Sequence, residues 1–207
     1  MKYIFVAGAP GSKWSSVVKN IYYSPSINRS DYSDERTYYH DASGEMQLMH
    51  LGAYYDPGME FGLPESMSTL TKKQAEELFD RPFSGTGVRI IKSHIFSYRD
   101  NIDYLRELWP DCPIVLVHRD NDSCLGWWVK CGHFDITYPL YKEYYQDLKH
   151  MAQIIKRQNE GLLKAWNNYD GTEVYSNLRL ALRLGIDSPP IEYNQNYTDN
   201  DIKVKVI

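Results

Sequence analysis

A group of glycine, serine and lysine residues near the start of the chain has the composition of an anion-binding turn. It follows the apolar run 3–7 and reads Gly8-Ala9-Pro10-Gly11-Ser12-Lys13-Trp14-Ser15-Ser16. Glycines let backbone N–H groups turn inward, and the first amides of a following helix have no partner within that helix. Lys13 adds a positive charge, and the nearby serine hydroxyls can donate to phosphate oxygens. The sequence predicts a phosphate-binding loop here, with an ordinary strand-turn-helix corner as the alternative.

Two later apolar runs also end in residues that could bind an anion or move a proton. Residues 88–92 end in Lys92 and are followed by Ser93 and His94, and residues 114–117 are followed by His118 and Arg119. Because the carboxyl ends of parallel strands meet at one edge of a sheet, we expect Lys13, Lys92, His94 and Arg119 to surround one anion site. Each has a simpler interpretation by itself: a polar side chain at a strand end or, for Arg119, an ion pair with Asp120.

In their order along the chain, these segments resemble the sulfotransferase family. The first loop is similar to the 5′-phosphosulfate loop of that family, with Gly8, Pro10, Ser12 and Ser15 on the pattern. The family's basic residue after the proline is Gly11 here, and its glycine is Lys13, so Lys13 would act from two positions later. The resemblance implies that the donor is bound by Pro10, Gly11, Ser12, Lys13, Trp14, Ser15 and Ser16.

The two later segments are similar to two further parts of the family pattern. Residues 88–94 resemble its strand that ends in Lys-Thr-His, which implies that His94 takes the acceptor proton and that Lys92 and Lys13 stabilise the transferring group. Residues 113–123 resemble its strand and turn with an arginine, which implies that Arg119 and Ser123 bind the 3′-phosphate of 3′-phosphoadenosine 5′-phosphosulfate. The resemblance implies no metal.

The function implied is transfer of a sulfuryl group from 3′-phosphoadenosine 5′-phosphosulfate to a hydroxyl or amine of a small molecule, glycan or peptide. One alternative is a nucleotide kinase or other NTPase, in which Asp120 and Ser15 would bind magnesium. Lys13 stands where the second glycine of a Walker A loop belongs, which disfavours this alternative. The other alternative is a sulfotransferase-like nucleotide-binding module without activity, because Gly11 lacks the family's basic side chain.

Composition restricts the class of protein. The 207 residues suit a single domain, and the net charge of −4 argues against a broad nucleic-acid-binding surface. The three cysteines have no metal-ligand spacing, which favours free thiols in a reducing compartment. No apolar run is long enough to span a membrane, and the first one is too short for a signal peptide, so we expect a cytoplasmic protein.

Hydrophobic periodicity predicts the elements that position these residues. Strands are expected at 2–7, 88–92, 114–117 and 173–175, and the alternation at 202–207 could add an edge strand. One helix is expected after the capping-box pattern at 71–74, and a second at 102–109, where Pro110 ends it. A third is expected from Leu148 to Trp166, and its apolar stripe includes Leu163.

Strands and helices thus alternate, which predicts a three-layer α/β fold with a mostly parallel sheet, and the resemblance implies that this fold is sulfotransferase-like. The segment 24–68 lacks clear periodicity. Such long irregular segments usually have a binding role, so we expect it to form the acceptor side or a lid.

Overall fold

The computed structural model describes residues 1–31, 53–130, 141–190 and 195–207. In these ranges the strands are β1 (Tyr3–Gly8), β2 (Arg89–Lys92), β3 (Ile114–His118), β4 (Thr172–Val174) and β5 (Lys203–Val206). The α-helices are α1 (Trp14–Tyr22), α2 (Lys72–Asp80), α3 (Arg99–Leu108), α4 (Asn121–Lys130), α5 (Tyr141–Tyr145), α6 (Leu148–Asn168) and α7 (Asn177–Leu184). Short 3-10 helices lie at Met67–Thr69, His94–Ser97 and Thr198–Asn200.

The five strands form one mixed sheet in the order β2-β1-β3-β5-β4. β1 is parallel to both β2 and β3, which confirms the predicted α/β class with a parallel core. β5 is antiparallel to both β3 and β4. The prediction of an edge strand at 202–207 is therefore wrong in its placement, because β4 pairs with the outer side of β5 and forms the edge itself.

Helices cover both faces of this sheet. Ile4 and Val6 pack with residues of α1 and α7 on one face, while Tyr3, Phe5 and Ala7 pack with residues of α2 and α3 on the other. This alternation follows from the two-residue period of a strand, and it leaves every residue of β1 buried. α6 contributes to both apolar clusters. β1 is thus the middle strand of the parallel part of the sheet, between β2 and β3.

The predicted helix signals are confirmed where the structure describes them. α2 begins with a capping box between Thr71 and Gln74, and α3 ends at Leu108, two residues before Pro110. In α6 the predicted apolar stripe is wrong at Leu148 and Leu163, which are 49% and 40% exposed. Leu163 follows the buried Leu162, and a step of one residue turns by about 100° around a helix, so the two leucines face different sides.

The irregular segment 24–68 is described only in part, since residues 32–52 lie outside the described residues. Beyond that gap, Ala53, Tyr54, Tyr55 and Met67 are buried, and Tyr54 forms a parallel bridge to Lys92. This part belongs to the core, and a role of the segment in acceptor binding remains a prediction.

Two of the three cysteines lie in the described residues. Cys112 and Cys124 are free and buried, as the absence of metal-ligand spacing predicts, and Cys131 lies outside those residues. None of the helices described combines the length and the apolar character that crossing a membrane would require.

Candidate functional site

The turn between β1 and α1 lies at the carboxyl end of β1, which pairs with β2 on one side and β3 on the other. The amide of Ser12 donates to the carbonyl of Ala9 at 3.0 Å, and the amide and hydroxyl of Ser16 donate to the carbonyl of Lys13 at 2.9 and 2.7 Å. The side chain of Ser12 is fully buried, and its hydroxyl has no hydrogen-bond partner among the described residues. The turn therefore holds a buried hydroxyl beside the first amides of α1, which have no acceptor within that helix.

Gly11 is fixed in this turn by its backbone conformation and by close contact with α4. Its φ of +80° lies in the left-handed region, and a Cβ atom at this position would be 2.0 Å from the carbonyl oxygen of Cys124. A side chain here would collide with backbone. The basic residue that the sulfotransferase pattern has at this position therefore cannot be accommodated in this turn.

Lys13 also has a positive φ, of +59°, and precedes the first residue of α1. Its ammonium group donates to Oδ1 of Asn200 at 3.0 Å and lies 4.5 Å from the centre of the Trp127 ring. The side chain therefore extends between α4 and the C-terminal 3-10 helix. To act on a transferring group, as predicted, Lys13 would have to leave Asn200.

Arg119, the first residue after β3, reaches the same turn. Its Nη1 donates to the carbonyl of Gly11 at 3.4 Å and to that of Ser123 at 3.1 Å. Its Nε is buried and has no hydrogen-bond partner among the described residues. The structure thus brings the guanidinium of Arg119 against the β1–α1 turn, as the parallel arrangement of β1 and β3 predicts.

Asp120 and Ser123 interact with each other at the start of α4. The amide of Ser123 donates to Oδ1 of Asp120 at 2.8 Å. Hydrogen bonds from the side chain and the amide of Ser123 hold the pKa of Asp120 below its ordinary value. Asp120 is exposed and acts as the cap of α4. The hydroxyl of Ser123 is engaged there as well.

His94, which follows β2 by two residues, contacts the turn from the other side. Its Nδ1 lies 2.5 Å from the carbonyl oxygen of Gly8, and its ring stacks on Trp14 with centroids 4.0 Å apart and an angle of 20°. A carbonyl oxygen can only accept, so Nδ1 carries the hydrogen and Nε2 is left to take up a proton. Trp14, predicted to bind the donor, is buried and supports His94.

Lys92 lies close enough to His94 for its charge to affect the imidazole, and only 1% of its surface is exposed. It is the last residue of β2, and it lies on the same face of the sheet as Ile90, two residues earlier. The structure therefore places Lys92 near His94 but inside the core. Contact of Lys92 with a bound donor remains a prediction.

Asp56 is a central residue of the site that sequence reasoning missed. Its Oδ1 accepts from the hydroxyl of Ser93 at 2.6 Å and the amide of His94 at 2.5 Å. Its Oδ2 accepts from the hydroxyls of Tyr54 at 2.6 Å and Tyr145 at 2.9 Å, and lies 3.8 Å from Nε2 of His94. The carboxylate is fully buried. Its place in the irregular segment gave no periodic signal that could have revealed it.

The charge state of His94 follows from its surroundings. Burial lowers the pKa of His94 below its ordinary value of about 6.5, and the positive charge of Lys92 lowers it further. Asp56 and the carbonyl of Gly8 act in the opposite direction. Because burial is the largest effect, the imidazole is neutral at pH 7, which is the form that can accept a proton.

A cavity of about 400 Å³ opens beside the same edge of the sheet. Its walls include His118, which directly precedes Arg119, and Thr198, which begins the 3-10 helix that ends at Asn200. Trp166 and Tyr175 supply aromatic surface. Neither Arg119 nor Asn200 is among the described residues that line it, so the cavity is separate from the β1–α1 turn.

Comparison of the chain with protein-family models, with curated proteins and with solved structures found no match in any of the three. The functional conclusion therefore depends on the chemistry of the turn and of the side chains that contact it.

Proposed function

We propose that this chain is a sulfotransferase that moves the sulfuryl group of 3′-phosphoadenosine 5′-phosphosulfate to a hydroxyl or amine of an acceptor. The observation that carries the proposal is that one glycine turn is contacted by a neutral imidazole and by a guanidinium. His94 contacts the carbonyl of Gly8 at 2.5 Å, and Arg119 contacts that of Gly11 at 3.4 Å. A base and an anion-binding group are what sulfuryl transfer from a bisphosphorylated donor requires.

The donor would be bound by groups that have spare hydrogen-bonding capacity. The buried hydroxyl of Ser12 and the buried Nε of Arg119 lack partners among the described residues, and leaving such groups unpaired costs about 1–3 kcal/mol each. The amides of Trp14 and Ser15 open α1 and have no acceptor within it. Together these donors favour an anionic ligand with several oxygen atoms.

The reaction would be an in-line displacement. The acceptor oxygen or nitrogen forms a bond to sulfur, the bond from sulfur to the bridging phosphate oxygen breaks, and adenosine 3′,5′-bisphosphate leaves. The acceptor proton passes to Nε2 of His94. Lys13, once released from Asn200, and Lys92 would stabilise the charge on the transferring and leaving groups.

The second candidate is a nucleotide-binding module without transfer activity. The position of the Lys13 ammonium, 3.0 Å from Oδ1 of Asn200, favours it, because an ammonium bonded to the C-terminal 3-10 helix is not directed at a transferring group. The kinase alternative has less support, since Asp120 caps α4 through Ser123.

A turnover assay tests the proposal. The wild-type protein and the His94→Gln variant would be incubated with the donor and with panels of phenols, sugars, amines and peptides, and the release of adenosine 3′,5′-bisphosphate would be measured. We expect acceptor-dependent release by the wild type only. Donor binding without release for any acceptor would favour the inactive module.

A further inference from the structure

We propose that Asp56 is a positioning residue that orients His94 and stabilises the imidazolium formed when His94 takes the acceptor proton. This inference rests on the proposed sulfotransferase function. It assigns a role to a residue of the irregular segment, and it explains how that segment is joined to the β1–α1 turn.

Asp56 fixes the backbone of His94 by a hydrogen bond and lies beside its ring. One carboxylate oxygen accepts from the amide of His94 at 2.5 Å and from the hydroxyl of Ser93 at 2.6 Å, so the chain direction after β2 is fixed. The other oxygen accepts from two phenols, those of Tyr54 and Tyr145. A fully buried carboxylate that accepts four hydrogen bonds has its own position fixed by its donors.

The ring of His94 has opposite roles for its two nitrogen atoms. Nδ1 donates to the carbonyl of Gly8, and Nε2 lies 3.8 Å from Oδ2 of Asp56. When Nε2 accepts a proton, the new positive charge forms beside this carboxylate at a buried position, where a Coulomb interaction is stronger than in water. The proton stays on Nε2.

Among the described residues, Asp56 is the one negatively charged group that acts on His94. Lys92 carries the opposing positive charge. Trp14 stacks on one side of the ring, and Tyr54 packs edge-on with centroids 5.7 Å apart. The indole of Trp14 is uncharged, and the phenols of Tyr54 and Tyr145 donate to Asp56.

The variants that test this role keep the shape of the site. Asp56→Asn removes the negative charge but keeps an oxygen that can accept from Ser93 and from the amide of His94. Tyr145→Phe keeps the ring and removes one donor to Oδ2, so it tests the same network if Asp56→Asn does not fold. Asp111→Asn, at an exposed position before β3, is the matched control.

Two measurements decide the proposal. In turnover, Asp56→Asn should lower kcat by about tenfold or more, a part of what a general base contributes, while the affinity for adenosine 3′,5′-bisphosphate stays within about twofold of wild type. In NMR titration of the histidine Cε1–H signals, assigned with His94→Gln, the midpoint for His94 should lie at lower pH in Asp56→Asn. Tyr145→Phe should lower kcat less, and Asp111→Asn should change neither quantity.

The outcomes separate this proposal from the function on which it rests. If the wild type releases no adenosine 3′,5′-bisphosphate with any acceptor, the proposed function fails, whatever the titration shows. If the wild type is active and the His94 titration is the same in Asp56→Asn, or donor affinity falls together with kcat in both variants, Asp56 has a structural role and the proposal is wrong.

Discussion

His94 donates a hydrogen bond through Nδ1 to the carbonyl oxygen of Gly8 at 2.5 Å. This contact joins the end of β2 to the end of β1 and determines which nitrogen of the ring can accept a proton. It also places that nitrogen beside Asp56, whose carboxylate is otherwise engaged by Ser93 and two tyrosines. The chemistry proposed for the site follows from this geometry.

Loss of the imidazole should stop transfer and leave donor binding intact. We expect His94→Gln to reduce turnover by about 10²- to 10⁴-fold, the usual contribution of a general base, because the amide cannot take up a proton. The affinity for adenosine 3′,5′-bisphosphate, measured by calorimetry, should stay close to that of the wild type. A parallel loss of affinity would show that His94 supports the turn without taking part in the reaction.

Arg119 should select for a donor with a 3′-phosphate. Its guanidinium lies against the turn and is partly buried, so Arg119→Ala should weaken binding of adenosine 3′,5′-bisphosphate by about 2 kcal/mol or more, close to 30-fold. Binding of ADP should change much less. The control is Arg183→Ala on α7, whose side chain is exposed and bonds to Thr172. An equal loss for both nucleotides would argue against a 3′-phosphate site at Arg119.

Lys13 should matter for the rate and little for folding. Its ammonium bonds to Asn200 at a partly exposed position, where solvent reduces the contribution below the roughly 1.5–3 kcal/mol of a hydrogen bond to a charged group. We therefore expect Lys13→Ala to lower turnover strongly with only a small change in the midpoint of thermal unfolding. Wild-type turnover in Lys13→Ala would remove Lys13 from the mechanism.

Gly11 should tolerate no side chain. Gly11→Ala puts a Cβ against the carbonyl of Cys124 at a positive φ, so we expect a loss of about 2 kcal/mol or more in the free energy of unfolding and weaker anion binding. Gly126→Ala is the matched control on α4, since a Cβ there meets nothing within 4 Å. That variant should be as stable as the wild type or more stable. Equal stability of the two variants would contradict the described packing of the turn on α4.

The buried, neutral His94 should make the protein less stable in acid. Its pKa is lower in the folded than in the unfolded state, so the unfolded state binds more protons below about pH 6.5. The free energy of unfolding should then fall, by up to about 1.4 kcal/mol per pH unit, from about pH 6.5 down to the folded-state pKa, and this group adds no dependence above that window. Urea unfolding of wild type and His94→Gln at several pH values measures this.

His118 needs its own control in that experiment. Burial and the nearby Lys203 lower its pKa as well, so it contributes a slope of the same sign. His118→Gln therefore has to be measured beside His94→Gln. If the free energy of unfolding of His94→Gln falls with decreasing pH as steeply as that of the wild type, the neutral His94 ring is not a source of the acid sensitivity.

Short-range patterns predicted the parallel core, the position of the turn and the helices α2, α3 and α6. The carboxyl ends of β1, β2 and β3 then brought His94 and Arg119 to one edge of the sheet, because neighbouring parallel strands must end together. The order of β4 and β5 was not predictable in the same way, since pairing between distant segments leaves no local signal.

The details of the site depended on contacts between residues far apart in the sequence. Lys13 is held by Asn200, which lies 187 positions later. Asp56 joins Ser93 and Tyr145, which lie 37 and 89 positions away. Neither contact follows from periodicity or motif spacing, so the direction of the Lys13 side chain and the role of Asp56 could only come from the structure.

Calorimetry of nucleotide binding tests the central claim most directly. Adenosine 3′,5′-bisphosphate, ADP and ATP would be titrated into the wild-type protein with and without magnesium. We expect the bisphosphate to bind more tightly than ADP or ATP, by about tenfold or more, with no dependence on magnesium, because a desolvated charged contact to the 3′-phosphate contributes at least about 1.5 kcal/mol. Tighter binding of ATP that depends on magnesium would contradict the sulfotransferase proposal and favour a kinase.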